Sequence, residues 1–416
     1  MESISDRLKS LGVQKGFAKK SESRDSRAQQ GQRTLQSLLN GEVQTNFYGE
    51  SLSIREVYPP EYRHGVTNLS HPIDTDVICK VSRLASDINL QLDEILFLDT
   101  ETSGLGGGTG TFAFLIGLGF YTGQGFQVQQ LFMRDPSEEP SMLAELIKIT
   151  TRFKAVLTYN GKSFDIPLLN NRYILNGLTS PFIQYPHIDL LQITRKIWSN
   201  RFDNRSLGHL ENQLLGFFRS GEEVPGWMIP QIYFDFLADH NPIPLSGVFY
   251  HNKIDILSLA GLTLLAGETL SYPNSTDIHQ LDQLSVAKVY QTLGRTEEAL
   301  SIYDQCIQKD LTPPQQLQAI MNSAEMCKRD RKWDLALPLW KEASRLGSIE
   351  ACIEIAKYLE HTTKEYDDAL AWTEKARMLI LNQTSYYYQQ MKLAEVEKRS
   401  RRIQQKTQRE KSTNND

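Results

Sequence analysis

Cysteine is scarce. Cys79, Cys306, Cys327 and Cys352 stand far apart, with no CxxC pair and no histidines at zinc-ligand spacing. That excludes a disulfide-stapled scaffold and a cysteine-based zinc module, and points to a reduced, intracellular protein. The first residues, MESISDRLKSLGVQKG, lack the apolar stretch of a signal peptide. The longest apolar run, around residues 112–121, is broken by glycines and too short to span a bilayer. The expectation is a cytoplasmic protein with no membrane partner. A basic excess is missing too: the formal net charge is −5. This total decides nothing about nucleic acid, which needs only a local basic surface. The glycine-rich stretch at 104–110 contains no GK[ST], so it is not a phosphate loop of the nucleotide-hydrolase kind.

What is present divides into segments. At 416 residues the chain exceeds one ordinary domain. Residues 1–90 are expected to form a partly ordered N-terminal region, with aromatics at Phe47, Tyr48, Tyr58 and Tyr62 but no interpretable motif. From residue 91 to 271 short strands alternate with helices. Strands are predicted at 95–98, 111–121 and 126–133, with Thr122-Gly-Gln-Gly125 as the turn between the last two. A helix at 141–151, a strand at 155–159, a helix at 164–176 and a strand at 184–188 follow. Helices at 190–198, 207–215 and 248–269 complete the segment. The pattern predicts an α/β fold, a mixed sheet with helices on its faces.

Beyond a polar linker at 271–278 the chain reads as wholly helical. GRTEEALSIYDQC (294–306), RKWDLALPLWKEA (331–343) and KEYDDALAWTEKA (364–376) align, so that Ala299, Ala336 and Ala369 coincide, as do Cys306, Ala343 and Ala376. Offsets of 37 and 33 residues lie near the period of helix-pair repeats. Residues 280–382 therefore resemble degenerate tetratricopeptide repeats, with Arg331 standing where the first copy has Gly294. Residues 383–416 read as a helical or disordered charged tail.

Three short motifs carry chemistry. Asp99-Thr100-Glu101 follows an apolar strand, and strand alternation puts both acids on one side. Such a pair suits a hard divalent ion such as Mg²⁺ or Mn²⁺, although acids at a strand end also simply face water. In Tyr159-Asn160-Gly161-Lys162-Ser163-Phe164-Asp165 the last acid enters a helix, where an ordinary cap is the alternative. In Tyr250-His251-Asn252-Lys253-Ile254-Asp255 the i to i+4 spacing puts His251 and Asp255 on one helical face, again a common decoration.

Taken together and in this order, these motifs resemble the DEDD (DnaQ-like) exonucleases of the ribonuclease H fold. With the glycine-rich DTETSGLGGG and the helical repeats they look more narrowly like YprB-type bacterial proteins. The resemblance implies a ribonuclease H-like sheet and a 3′–5′ exonuclease acting on DNA or RNA. It further implies two metal ions, Mg²⁺ or Mn²⁺, held by Asp99, Glu101, Asp165 and Asp255. A histidine or tyrosine then handles the attacking water. One subtype has His five residues before the last Asp, the other Tyr four before it. Here Tyr250 stands at five and His251 at four, so the identities are exchanged. His251 is favoured as the base, because its ordinary pKa lies near neutrality.

The segment after DxE touches the substrate end in that group. This makes Thr102, Gly104, Leu105, Gly106, Gly107 and Gly108 substrate-binding candidates, with Asn160 and Phe164; a plain inter-strand turn is the competing reading. Asp189 reads as a helix cap, with support of the site the alternative, and Arg172, Arg195, Lys196, Arg201 and Arg205 as phosphate contacts or solvated faces. Two other functions compete: a nucleic-acid-binding protein with a silent site, and an adaptor whose repeats hold a protein partner.

Overall fold

The computed structural model describes residues 35–85, 87–104, 110–309, 311–382 and 386–413. Leu105, Gly106, Gly107 and Gly108 lie outside the described residues. Two units emerge from its contacts: the described residues up to Leu191 with Ser206–Leu265, and Gln192–Arg205 with Ala266 onward.

The first unit is built on a seven-stranded sheet of order β1-β2-β7-β6-β5-β8-β9. Its strands are β1 (Glu42–Asn46), β2 (Gly49–Tyr58), β5 (Ile95–Thr102), β6 (Ala113–Thr122), β7 (Gly125–Phe132), β8 (Ala155–Thr158) and β9 (His187–Asp189). β3 (Arg63–His64) and β4 (Thr67–Asn68) form a separate small hairpin. β5, β8 and β9 pair in parallel, and the other neighbours are antiparallel. This is the mixed sheet expected from the pattern. Two particulars differ. The sheet takes in β1 and β2 from the region set apart as 1–90, because β2 pairs with β7 from Leu52↔Phe132 to Tyr58↔Phe126. And β5 runs through the DxE motif to Thr102 instead of ending at Leu98.

β6 and β7 turn tightly at Thr122↔Gly125. Gly125 has φ 122°, and a Cβ there would meet the Tyr58 carbonyl at 2.1 Å, so only glycine fits. Helices α2 (Glu139–Thr150), α3 (Asp165–Leu175) and α6 (Ile229–Asp239) contribute to a core with Leu96, Leu98, Phe114 and Leu118 of the sheet. Further helices along this stretch are α1 (Thr75–Val81), α4 (Leu190–Ile197, in the second unit from Gln192 on), α5 (Leu207–Leu210, continued by a π turn to Leu215) and α7 (Leu245–Ser271, in the second unit from Ala266 on). α7 is long and apolar enough to cross a membrane by composition, yet 78% of its apolar window is buried inside the protein. Gly117 and Gly119 of β6 let it approach the sheet: a Cβ on Gly119 would meet Ile256 at 2.5 Å, and one on Gly117 would meet Asn252 at 2.3 Å.

The second unit is helical. α8 (Gln280–Thr292) with α9 (Thr296–Ile307), α10 (Pro313–Arg329) with α11 (Trp333–Arg345), and α12 (Ile349–Tyr358) with α13 (Tyr366–Leu381) make three pairs of consecutive helices joined by short turns. The six aligned small residues fall on the second helix of each pair and are all fully buried. Gly294, Arg331 and Lys364, aligned in the sequence, share one left-handed turn conformation, with φ 77°, 58° and 62°. The tail forms a last helix, α14 (Tyr386–Thr413), whose Val396 and Ile403 are buried. Its Arg399, Arg402 and Lys406 all pair with fully buried Glu360.

Candidate metal centre

Alternation along β5 projects Asp99 and Glu101 to the side that α7 covers. Register confirms the geometry: Asp99 lies opposite Gly117, and the missing side chain there leaves room for Asn252 of α7. Asn252 donates its amide N–H to Asp99 Oδ2 at 3.0 Å and accepts from Gln130 at 2.9 Å, which fixes its orientation. From the same helix, one turn further on, comes Asp255.

Asp165 arrives from another direction. Asn160 adopts a left-handed φ of 65° in the turn after β8. Its N–H is held by Asp189 Oδ1 at 2.8 Å, and the same carboxylate accepts from Lys162 N at 3.3 Å and Leu191 N at 3.1 Å. Gly161 follows because a Cβ would press on Thr158 at 2.4 Å. The turn delivers Asp165 as the first residue of α3, where Thr100 Oγ1 donates to it at 2.5 Å. Asp189 thus caps a helix, as read from sequence, and also shapes this loop.

His251 completes the cluster. Its Nε2 lies 3.2 Å from Asp255 Oδ2 and 3.9 Å from Glu101 Oε1, and ligand atoms of Glu101, His251 and Asp255 all fall within 4.8 Å of one another. Nδ1 faces Glu223 at 2.7 Å and the Val224 carbonyl at 3.1 Å. The neighbouring Tyr250 points elsewhere: its hydroxyl accepts the Ser220 N–H at 2.9 Å.

Burial and mutual repulsion dominate the electrostatics. Burial, then the charges of Asp255, Asp165 and Glu101, push the Asp99 carboxyl well above its usual range. Burial raises Glu101 to about 8 and Asp165 to about 6, the latter opposed by the Thr100 hydrogen bond. Burial also acts on Asp255, but bonding to His251 and the Arg219 charge outweigh it and hold that acid low. Burial would favour a neutral His251 ring, yet Asp255, Glu101 and Glu223 hold it up to about 10.

The RNase H superfamily matches residues 96–266. The uncharacterized protein YprB of Bacillus subtilis (strain 168) is 31% identical over 340 residues, which cover 79% of this chain and 81% of that protein. The chain belongs to the YprB family. Its sheet is ribonuclease H-like, and a helical region follows it.

For a YprB-family chain, the four acids are a donor set that fits hard divalent cations: oxygen ligands, recessed together, with their mutual repulsion unrelieved by burial. Other candidates fall into place around them. Thr102 donates to the Gly104 carbonyl at 2.9 Å, and Phe164 stands 59% exposed beside Asp165. Arg172 is committed to Glu139 and Arg201 to Asp282, so those two hold structure. Sequence reasoning missed Asn252, Gln130, Gly117, Arg219, Glu211 and Glu223. Glycines inside the strand run LIGLGF are a signal of close approach; the charged loop that carries Arg219 offers none.

Proposed function

We propose that this protein is a divalent-metal-dependent nuclease, a 3′–5′ exonuclease hydrolysing phosphodiester bonds in DNA or RNA. The observation that carries the reading is the convergence of Asp99, Glu101, Asp165 and Asp255 from β5, α3 and α7 on one recess, with His251 beside them. With all four acids ionised, a divalent cation is the partner that would relieve such a cluster. Two Mg²⁺ or Mn²⁺ ions bound by these acids would activate a water and stabilise the departing oxygen. The protein's own residues do the rest. Asn252 keeps Asp99 in orientation, and Thr100 does the same for Asp165.

Of the exchanged pair, His251 faces the acids while Tyr250 is tied to Ser220, which supports His251 as the group that takes the proton from water. The negative charge of Asp255, with Glu101 and Glu223, keeps the ring protonated, and it becomes a base once those carboxylates spend their charge on a cation. An open cleft of about 560 Å³, lined by His251, Asp255, Asn212 and Phe218 among others, adjoins the centre. Phe218, which lines the cleft, is 75% exposed, which suits stacking on unpaired bases. The buried, unpaired thiols of all four cysteines support a reducing, cytoplasmic setting. The three helix pairs support the reading of degenerate tetratricopeptide-like repeats.

The test is a degradation panel of single- and double-stranded DNA and RNA, labelled at either end, with Mg²⁺, Mn²⁺ or chelator. Stepwise loss from the 3′ end with metal alone is expected. Intact substrates under every metal condition would reject the proposal.

A further inference from the structure

Arg219 lies in the loop before α6, and no motif selects it. Its guanidinium is nonetheless woven into the metal centre. Nη2 hydrogen-bonds Asp255 Oδ1. Nε and Nη2 also form a fork on Glu211, at 2.9 and 3.0 Å, and Nη1 reaches Glu223 at 2.9 Å. The arginine is therefore anchored even without Asp255.

That anchor is itself set from deep inside the unit. Glu211, 1% exposed, accepts the Ser258 hydroxyl proton on Oε2. Ser258 has one proton and has given it away, so at 2.7 Å from His64 Nε2 it must accept. His64 is accordingly the Nε2–H tautomer. Burial, with Arg219, pushes that ring down to about 4, so it is neutral. Its Nδ1 lone pair is buried with no partner among the described residues, as this direction of donation requires. Stacking on Phe217 at 4.1 Å between centroids holds the ring. One polar chain thus runs from the β3–β4 hairpin through Ser258 and Glu211 to Arg219 and Asp255.

Both oxygens of Asp255 face protein cations, Arg219 on Oδ1 and His251 on Oδ2. We infer that Arg219 is a positioning residue that serves as the built-in counter-cation of the metal centre, competing with a divalent ion for Asp255 while remaining fixed on Glu211. This rests on the metal-site reading above. A guanidinium held beside a ligand carboxylate repels an incoming dication, and its removal frees an oxygen. Arg219 then sets metal affinity and keeps the acids paired when metal is scarce.

The experiment is calorimetric titration of Mn²⁺ into the full chain and into R219M, with thermal melts in chelator beside it. R219M is expected to bind Mn²⁺ about tenfold more tightly, the scale of one charge on a dication a few ångströms away in a wet site. Its melting temperature in chelator should fall. R219K keeps a charge but lacks the fork that spans Glu211, Glu223 and Asp255. It should bind about threefold more tightly than the parent, and it serves as the test if R219M does not fold. Equal or weaker Mn²⁺ binding by the variants, with normal binding by the parent, overturns the inference alone. No Mn²⁺ binding by the parent overturns the metal-site reading and the inference with it.

Discussion

Replacing Glu101 with glutamine should make the protein more stable in chelator while abolishing its activity. The side chain is 12% exposed and held at about 8, against an ordinary 4.5. An acid whose folded value is raised favours folding below its unfolded value and loses that contribution as pH rises through the folded one. At pH 7 the unfolded chain has released this proton and the folded chain has not. Neutral pH lies two and a half decades above 4.5, and each decade is worth about 1.4 kcal/mol, so the penalty is about 3 kcal/mol. Glutamine keeps the shape without the charge. In a unit of this size such a gain raises the melting temperature by about 10 °C. Differential scanning calorimetry in chelator, from pH 5 to 8.5, should show the parent weakening more steeply with rising pH than Glu101→Gln, which keeps only the smaller losses from Asp99 and Asp165. With Mn²⁺ the order should reverse, because only the parent gains from binding. A variant no more stable than the parent in chelator at pH 7.5 would refute the electrostatic account of the cluster.

Other outcomes follow from other places. Gly117→Ala forces a Cβ against the Asn252 amide at 2.3 Å; about 1–3 kcal/mol of stability should be lost, with Mn²⁺ affinity falling as Asp99 loses its partner. Arg331→Gly places glycine at a left-handed turn now held by arginine, φ 58°, and should stabilise the helical unit by roughly 1 kcal/mol in urea unfolding. Glu360→Gln leaves Arg399, Arg402 and Lys406 facing no charge and should cost about 3 kcal/mol. Burial opposes ionisation there, but Arg402 and Lys406 hold Glu360 down to about 2. Its contribution is present above about 4.5 and is lost as pH falls toward 2, so far-UV circular dichroism should show the parent's acid transition in that window. Phe218→Ala should raise the KM for single-stranded substrate severalfold and spare kcat, as expected of a stacking contact.

The fold was largely legible because its signals are local. Ile95–Leu98 reads as a buried strand from four successive apolar residues, and α3 announces itself after Asn160-Gly161. β1 and β2 were not legible as part of the sheet. β2 finds its partner β7 some seventy residues later in the chain, and no local periodicity encodes a long-range pairing. The candidate site divides in the same way. Its acids sit in motifs with strand and helix context, whereas Arg219 matters only because Glu211, Asp255 and Glu223 surround it in space. Arg331 and Lys364 mark a third kind of gap. The aligned Gly294 discloses the turn, but the backbone strain of its two non-glycine counterparts appears only in dihedral angles.

The pairing of β2 with β7 also bears on how the protein can be divided. A fragment cut at residue 91, where the motif-bearing segment starts, would strip β7 of its neighbour along seven paired positions, from Leu131 and Phe132 to Phe126. Its backbone donors and acceptors would be left open beside apolar side chains, a template for any second strand. Self-association of such a fragment would then report a missing edge and say nothing about the oligomeric state of the whole chain.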